Sequence, residues 1–183
     1  MIKTILYFHG FKSSSESSKA QEFKNFVSKY TKNTKIIIPD LDDNFEKAHL
    51  QIEKLISDNG PEIVFMGSSL GGYSALYYSQ IHEVEAVLIN PAISPLSGFE
   101  IHLGENENYA TGKKFMIKKD DLSFIRSLHH KKIHKPENIL VLLESEDEVL
   151  NYIETTSYFK ASHIDIIYGG NHSYTSLKNK YTK

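Results

Sequence analysis

The sequence contains no cysteine. This absence excludes disulfide bonds, thiolate metal sites and a cysteine nucleophile, and it removes the usual mark of a secreted, disulfide-held domain. A chain of 183 residues can nevertheless bury a substantial core without such crosslinks. We therefore expect a single domain over residues 1–183.

An excess of charge of one sign and long apolar runs are also lacking. The formal net charge is −2, and the lysine pairs at 113–114, 118–119 and 131–132 are short and interrupted. Such pairs are more typical of solvated loops than of a nucleic-acid surface, so we expect no nucleic-acid partner. No apolar run approaches the roughly 20 residues that a membrane span needs, and the first apolar stretch is too short for a signal peptide. The sequence predicts a cytoplasmic protein without a membrane span.

Strand-like and helix-like segments alternate along the chain. Apolar runs predict strands at residues 2–8, 35–40, 62–66, 86–89, 138–143 and 164–168, and helical patterns lie between them, including 45–57, 70–80 and 148–159. Several runs are apolar throughout, which is typical of parallel strands covered by helices on both faces. The alternation therefore predicts an α/β fold with a doubly wound, mostly parallel sheet. At the first helix, the spacing of Ser18 and Gln21 predicts a capping box.

Residues 92–136 interrupt this alternation with a long, mixed segment. One interpretation is a small cap insertion over the carboxyl edge of the sheet, in which residues such as Phe99, Phe115 and Phe124 line an acyl pocket. The other interpretation is that these residues fill an ordinary small core. The sequence leaves both open.

Residues 67–71 read Gly-Ser-Ser-Leu-Gly and match the pattern G-x-S-x-G with Ser69 at its centre. An apolar run precedes the motif and a helical pattern follows it, which is the context of a sharp strand-to-helix turn. Small residues on either side allow tight packing at such a turn, and the helix N-terminus favours developing negative charge. The pattern predicts that Ser69 is a nucleophile. The alternative is a glycine-rich turn without catalysis.

A serine hydroxyl needs a base to act as a nucleophile. His172 follows the last predicted strand, in the sequence Gly-Gly-Asn-His at 169–172. In α/β-hydrolases the chain order is serine, acid, histidine, and only His172 lies late enough, because His163 would enter the strand at its other end. We predict that His172 is the general base. The alternative is a histidine on a surface loop.

The acid of such a site should follow the strand at 138–143. Asp147 has a short side chain at the junction between the predicted loop and helix, so it is the predicted partner of His172. Asp147 could instead cap that helix. Its neighbours Glu144, Glu146 and Glu148 are interpreted as electrostatic neighbours.

The loop after the first strand reads His-Gly-Phe at residues 9–11. In this type of fold, an amide of that loop and the amide after the nucleophile form the oxyanion hole. The predicted donors are the backbone N–H groups of Phe11 and Leu70. Neither a metal nor an organic cofactor is implied. His129, His130 and His134 stand among lysines without an interleaved carboxylate, which favours a solvated basic segment over a metal site.

In this order, the motifs resemble the YqiA/YcfP family of small bacterial α/β-hydrolase esterases. The residues that carry the resemblance are Tyr7-Phe8-His9-Gly10-Phe11, Ser13-Ser14, Lys19-Ala20, the run 67–73, Asn90-Pro91-Ala92, the run 104–108, Thr111-Gly112, the run 147–150 and the run 169–172. The resemblance implies a pared-down α/β-hydrolase fold. It also implies a serine esterase or thioesterase that acts on a small-molecule acyl ester or thioester, with the same roles for Ser69, Asp147 and His172.

Two other functions stay open at this point. The first is a catalytically idle scaffold of the same fold that binds an acyl ligand or a partner protein, since fold alone does not establish function. The second is a peptidase of this fold. The complete set of nucleophile, base and acid favours an enzyme, because a binding module would not need it. The sequence does not determine the oligomeric state.

Overall fold

A computed structural model describes residues 4–180 of the chain. Within these residues the strands are β1 (Thr4–Phe8), β2 (Lys35–Ile37), β3 (Ile63–Ser68), β4 (Ala86–Ile89), β5 (Gly104–Glu107), β6 (Lys114–Ile117), β7 (Ile139–Glu144) and β8 (His163–Ile167). The helices are α1 (Ser18–Tyr30), α2 (Phe45–Asn59), α3 (Leu70–His82), α4 (Lys119–Ser127) and α5 (Tyr152–Tyr158). Short 3-10 turns lie at Phe99–His102, Pro136–Asn138 and Leu177–Lys180. The first predicted strand includes positions 2 and 3, which lie outside the described residues.

Six strands form one parallel sheet in the order β2-β1-β3-β4-β7-β8. Alternate side chains of β1 enter different cores: Leu6 packs with residues of α2 and α3, whereas Tyr7 packs with Ala20 of α1 and with Leu177 near the end of the chain. Helices therefore cover both faces, which explains why the strands are apolar throughout. The predicted doubly wound, mostly parallel α/β fold is confirmed.

Residues 92–136 contain the antiparallel hairpin β5–β6 and helix α4. Their side chains form a core of their own at the carboxyl edge of the sheet, where Ile117, Leu122 and Ile125 pack against Phe45 and Leu70 of the main body. The apolar residues of this segment therefore fill a small core, and some also line a cavity described below. A single domain over residues 1–183 with residues 92–136 as a cap stays a prediction. Within residues 4–180, no helix is long and apolar enough to cross a membrane.

Two predicted helix starts are wrong. Helix α1 begins at Ser18 itself, so Ser17 is the N-cap, and the side chain of Gln21 donates to the Ser15 carbonyl instead of closing a capping box. Helix α5 begins at Tyr152 rather than at residue 148, because Asn151 caps it through its side chain. The residues before Asn151 form a turn of their own, and that turn belongs to the site.

Candidate active site

Ser69 lies at the sharp turn between β3 and α3. It is the N-cap residue of α3 with φ 55° and ψ −122°, a left-handed φ that is uncommon for a residue with a side chain. A side chain at position 71 would collide with the Phe8 carbonyl oxygen, and one at position 67 would collide with the backbone of Gly71. The two flanking glycines are therefore needed for the close packing that holds Ser69 in this conformation.

Three side chains from distant parts of the chain form a hydrogen-bonded row at the carboxyl edge of the sheet. The Oγ atom of Ser69 lies 3.0 Å from Nε2 of His172. The Nδ1 atom of the same ring lies 2.8 Å from Oδ2 and 3.0 Å from Oδ1 of Asp147. The structure thus brings together the three side chains that the sequence predicts for the site.

The hydrogen bond with Asp147 fixes the tautomer of His172. An ionised carboxylate can only accept hydrogen bonds, so Nδ1 carries the proton and donates a hydrogen bond to Asp147. Nε2 is then free to accept the hydroxyl proton of Ser69. Asp147 is also held from its other side, since Oδ1 accepts the backbone N–H groups of Val149 and Leu150, each at 2.8 Å. The alternative prediction is that Asp147 caps a helix. In the structure Asn151 caps α5, and Asp147 instead caps the turn in which it lies.

A second carboxylate, Glu144, holds the loop that carries His172. It is the last residue of β7 and its side chain is fully buried. Its carboxylate accepts the backbone N–H groups of Asn171 at 2.7 Å, of Thr175 at 3.1 Å and of Ser176 at 2.8 Å. Burial by itself would raise the pKa of Glu144, but these hydrogen bonds outweigh it, and the pKa of this carboxyl is lowered. Glu144 is therefore an integral part of the loop and not an electrostatic neighbour.

Asn90 and Glu148 fix the same loop from two further directions. The Nδ2 atom of Asn90 donates to the carbonyl oxygens of Asn171 at 3.0 Å and His172 at 3.2 Å, while its Oδ1 atom accepts the N–H of Glu144 at 3.0 Å. The carboxylate of Glu148 accepts the N–H of His172 at 2.9 Å. Side chains at or just after the ends of β4 and β7 thus form hydrogen bonds with both the N–H and the carbonyl groups of the loop that carries His172.

Sequence reasoning missed the roles of Glu144 and Asn90. One signal was present, because a glutamate that ends the apolar run Ile139–Leu143 has to be hydrogen-bonded if it is buried. Its partners could not be deduced, since Asn171 is 27 positions away and Asn90 is 54 positions away.

Two cavities lie near the strand-to-helix turn that carries Ser69. A wide cleft of about 360 Å³ is lined by Ser69 and His172 together with residues that include Tyr7, Ser17, Lys19, Ser68, Tyr109 and Ser173. A second cavity of about 60 Å³ is mostly apolar, and it is reached from the nucleophile through its chain neighbour Leu70, which lines it together with residues that include Phe11, Phe45, Ile52, Ile125 and Leu128. Gly10 and Phe11 border both spaces, so the loop after β1 separates them.

The predicted oxyanion residues lie beside the serine. Leu70 is the first residue of α3 and directly follows Ser69. Phe11 follows Gly10, which lies so close to Ser69 that a side chain at position 10 would be 3.3 Å from its Cβ atom. His9 steadies this loop, since its ring accepts the N–H of Leu41 at 3.2 Å.

The histidines at 129, 130 and 134 lie away from this site. His130 contacts the Tyr77 carbonyl oxygen at 3.3 Å, and the backbone of His134 donates to Gln80 at 2.7 Å. Among residues 4–180, no group of three or more histidine, aspartate or glutamate side chains is arranged to hold a metal ion.

Solved structures with the same architecture define the class of fold. The structure is similar to the α/β hydrolase domain-containing protein 10 from mouse, with a TM-score of 0.68 and 17% sequence identity over 94% of this chain and 83% of that chain. It is also similar to an esterase from Pyrococcus furiosus, with a TM-score of 0.65 and 16% identity over 99% and 78% of the two chains. FphF, a fluorophosphonate-binding serine hydrolase from Staphylococcus aureus, matches with a TM-score of 0.60 and 14% identity over 99% and 82%.

The fold is therefore that of an α/β hydrolase, as the motifs predict. The chain itself belongs to the uncharacterised protein family UPF0227, whose sequence model matches residues 4–183. This match confirms the family resemblance that the motifs indicate.

Proposed function

We propose that the protein is a serine hydrolase that cleaves small acyl esters or thioesters through an acyl-enzyme intermediate. The observation that carries the proposal is the row Ser69–His172–Asp147, in which both ring nitrogens of the histidine are within hydrogen-bond distance of the right partner. This geometry meets the requirement that nucleophile, base and orienting acid lie within about 2.6–3.2 Å of one another.

In the proposed reaction, Oγ of Ser69 attacks the substrate carbonyl carbon while Nε2 of His172 accepts the hydroxyl proton. Collapse of the tetrahedral intermediate breaks the bond to the alcohol or thiol, which takes the proton from His172, and leaves an acyl group on Ser69. Water then attacks this acyl group with His172 again as base, and releases the carboxylic acid. Asp147 keeps the imidazole in the required tautomer and stabilises the imidazolium that forms in each half-reaction.

The backbone N–H groups of Phe11 and Leu70 are the proposed oxyanion hole. Two observations support this assignment: Leu70 lies at the N-terminus of α3 directly after Ser69, and the backbone at Gly10, next to Phe11, approaches Ser69 closely. The helix dipole of α3 adds a partial positive charge at the same point.

The size of the apolar cavity supports a short acyl chain. Its volume of about 60 Å³ admits only a few carbon atoms, and its walls are formed in part by Ile125 and Leu128 of the segment 92–136. We therefore propose that acetyl to butyryl esters are cleaved with higher kcat/KM than octanoyl esters, and esters faster than the matched aminoacyl amides.

Fluorophosphonate labelling followed by mass spectrometry of the labelled peptide tests the proposal directly. We expect Ser69 to be the labelled residue, and Ser69→Ala to abolish both labelling and ester turnover. The matched control is Ser123→Ala, since Ser123 lies on α4 and is exposed. Ester turnover that persists in Ser69→Ala would exclude the proposed mechanism, and a folded parent protein that is neither labelled nor active would favour an idle binding scaffold.

A further inference from the structure

The wide cleft beside the nucleophile contains an ammonium group that the proposed reaction does not use. Lys19 is the second residue of α1 and lines this cleft together with Ser69 and His172. Its Nζ atom donates to Oγ of Ser68 at 2.6 Å. Lys19 therefore lines the same cleft as the nucleophile and is hydrogen-bonded to the residue before it.

The charge of Lys19 is only partly compensated by the protein. No carboxylate among the described residues forms an ion pair with it, and the side chain that accepts its hydrogen bond, Ser68, is neutral. Burial lowers the pKa of Lys19 to about 8, although Glu144 and Asp147 lie near enough to favour its charged form. The group is therefore a mainly protonated cation at neutral pH in a partly desolvated site, where an anionic ligand is bound more strongly than in water.

The position of Lys19 also indicates which part of the substrate it would meet. The cleft that contains Lys19 is lined by His172 and Ser173, whereas the apolar cavity lies on the side of Leu70 and Phe45. The histidine returns its proton to the leaving group, so the leaving alcohol has to lie on the histidine side. The acyl group then occupies the apolar cavity, and the alcohol part faces Lys19 and the serine hydroxyls around it.

We propose that Lys19 is a specificity-determining residue and that the physiological substrates are short-chain acyl esters whose alcohol part carries an anionic group, a carboxylate or a phosphate. This inference rests on the proposed esterase function and deepens it. The ammonium of Lys19 would pair with the anion, while the hydroxyls of Ser17 and Ser68 supply further donors in the cleft.

A pair of acetate esters tests the proposal: para-acetoxybenzoate, which carries a carboxylate on the leaving group, and para-acetoxybenzamide, its neutral counterpart. The quantity to measure is the ratio of their kcat/KM values, in the parent protein, in Lys19→Met and in Lys24→Met. The intrinsic difference in reactivity of the two esters cancels when these ratios are compared. Lys24 is the matched control, because it lies on the same helix but is exposed.

We expect Lys19→Met to lower the ratio by about 10- to 100-fold, the worth of one hydrogen bond to a charged group, and Lys24→Met to leave it at the parent value. An unchanged ratio in Lys19→Met overturns the proposal, as does an equal loss of both activities, which would make Lys19 a structural residue. Lys19→Gln, which keeps a polar group without the charge, should show the same loss and serves if Lys19→Met does not fold.

A second pair of esters tests whether Lys19 faces the acyl part or the alcohol part of the substrate. The mono-para-nitrophenyl ester of succinic acid carries its carboxylate on the acyl part, and its methyl ester is the neutral counterpart. If Lys19→Met changes this second ratio and not the first, the cation serves the acyl side and the proposal is wrong. Failure of the underlying esterase function would be seen separately, as turnover that does not depend on Ser69.

Discussion

The carboxylate of Glu144 accepts the backbone N–H of Asn171 at 2.7 Å, one residue before the histidine that contacts Ser69. A buried acid at the end of β7 thus sets the course of the loop after β8. The same strand end leads to Asp147, so one segment of chain supplies both the partner of the imidazole ring and the anchor of its backbone. The position of His172 therefore depends on the end of β7 as well as on the loop that carries the histidine.

Replacement of Asp147 by asparagine should lower kcat by at least about 100-fold. The asparagine side chain is similar in shape, but its amide nitrogen can face Nδ1 as a donor and then favours the other tautomer of His172. Steady-state kinetics on a short-chain ester measures the loss, with circular dichroism to verify folding. Glu146→Gln is the matched control, because Glu146 is exposed in the same turn and should stay within about tenfold of the parent. A folded Asp147→Asn variant with parental kcat would show that the acid is another residue.

Replacement of Glu144 by glutamine should damage the site indirectly. One acceptor oxygen becomes an NH2 group that faces backbone donors, so at least one N–H of the histidine loop loses its partner. We expect the free energy of unfolding to fall by about 1–3 kcal/mol and kcat to fall by at least tenfold, with KM changed less. Urea unfolding and steady-state kinetics measure the two effects. If kcat stays at the parental value while stability falls, Glu144 supports the fold but does not position His172.

The stability that Glu144 contributes should disappear in acid. Its pKa is lowered in the folded protein, so its contribution is complete above the unfolded value of about 4.3 and is lost as the pH falls through the lower folded value. The difference in unfolding free energy between the parent and Glu144→Gln should therefore shrink as the pH is lowered from about 6 to about 3. A difference that stays constant over this range would mean that the pKa of Glu144 is the same in the folded and unfolded states, so that the fold does not stabilise its charged form.

The preference for an anionic leaving group should weaken in mild alkali. Because the pKa of Lys19 is about 8, its ammonium loses the proton as the pH rises past that value. The ratio of kcat/KM for para-acetoxybenzoate over para-acetoxybenzamide should fall between about pH 7 and 9 in the parent and stay level in Lys19→Met. The nearby groups Glu144, Asp147 and His172 are present in Lys19→Met as well, so the comparison of the two proteins separates their effect from that of Lys19. A ratio that falls equally in both proteins would assign the effect to another group.

The sequence by itself determined the features that depend on chain neighbours. Continuous apolar runs required strands covered on both faces. The spacing of Gly67, Ser69 and Gly71 required a tight turn, because a side chain at position 67 would collide with the backbone of Gly71, four positions further along the chain. The order of serine, acid and histidine in the chain then limited the choice of partners to few residues.

Only the tertiary structure decided which distant groups meet. Ser69 and His172 are 103 positions apart, and Glu144 and Asn90 are 54 apart, so their contacts depend on the order β3-β4-β7-β8 in the sheet. That order brings the carboxyl ends of these strands to one edge of the sheet. The buried carboxylate of Glu144 needs hydrogen-bond donors there, and they come from parts of the chain that are distant in sequence. Hydrogen bonds between chain-distant side chains and backbone leave no periodic pattern in a sequence, and for this reason the roles of Glu144, Asn90 and Lys19 emerged only from their positions in space.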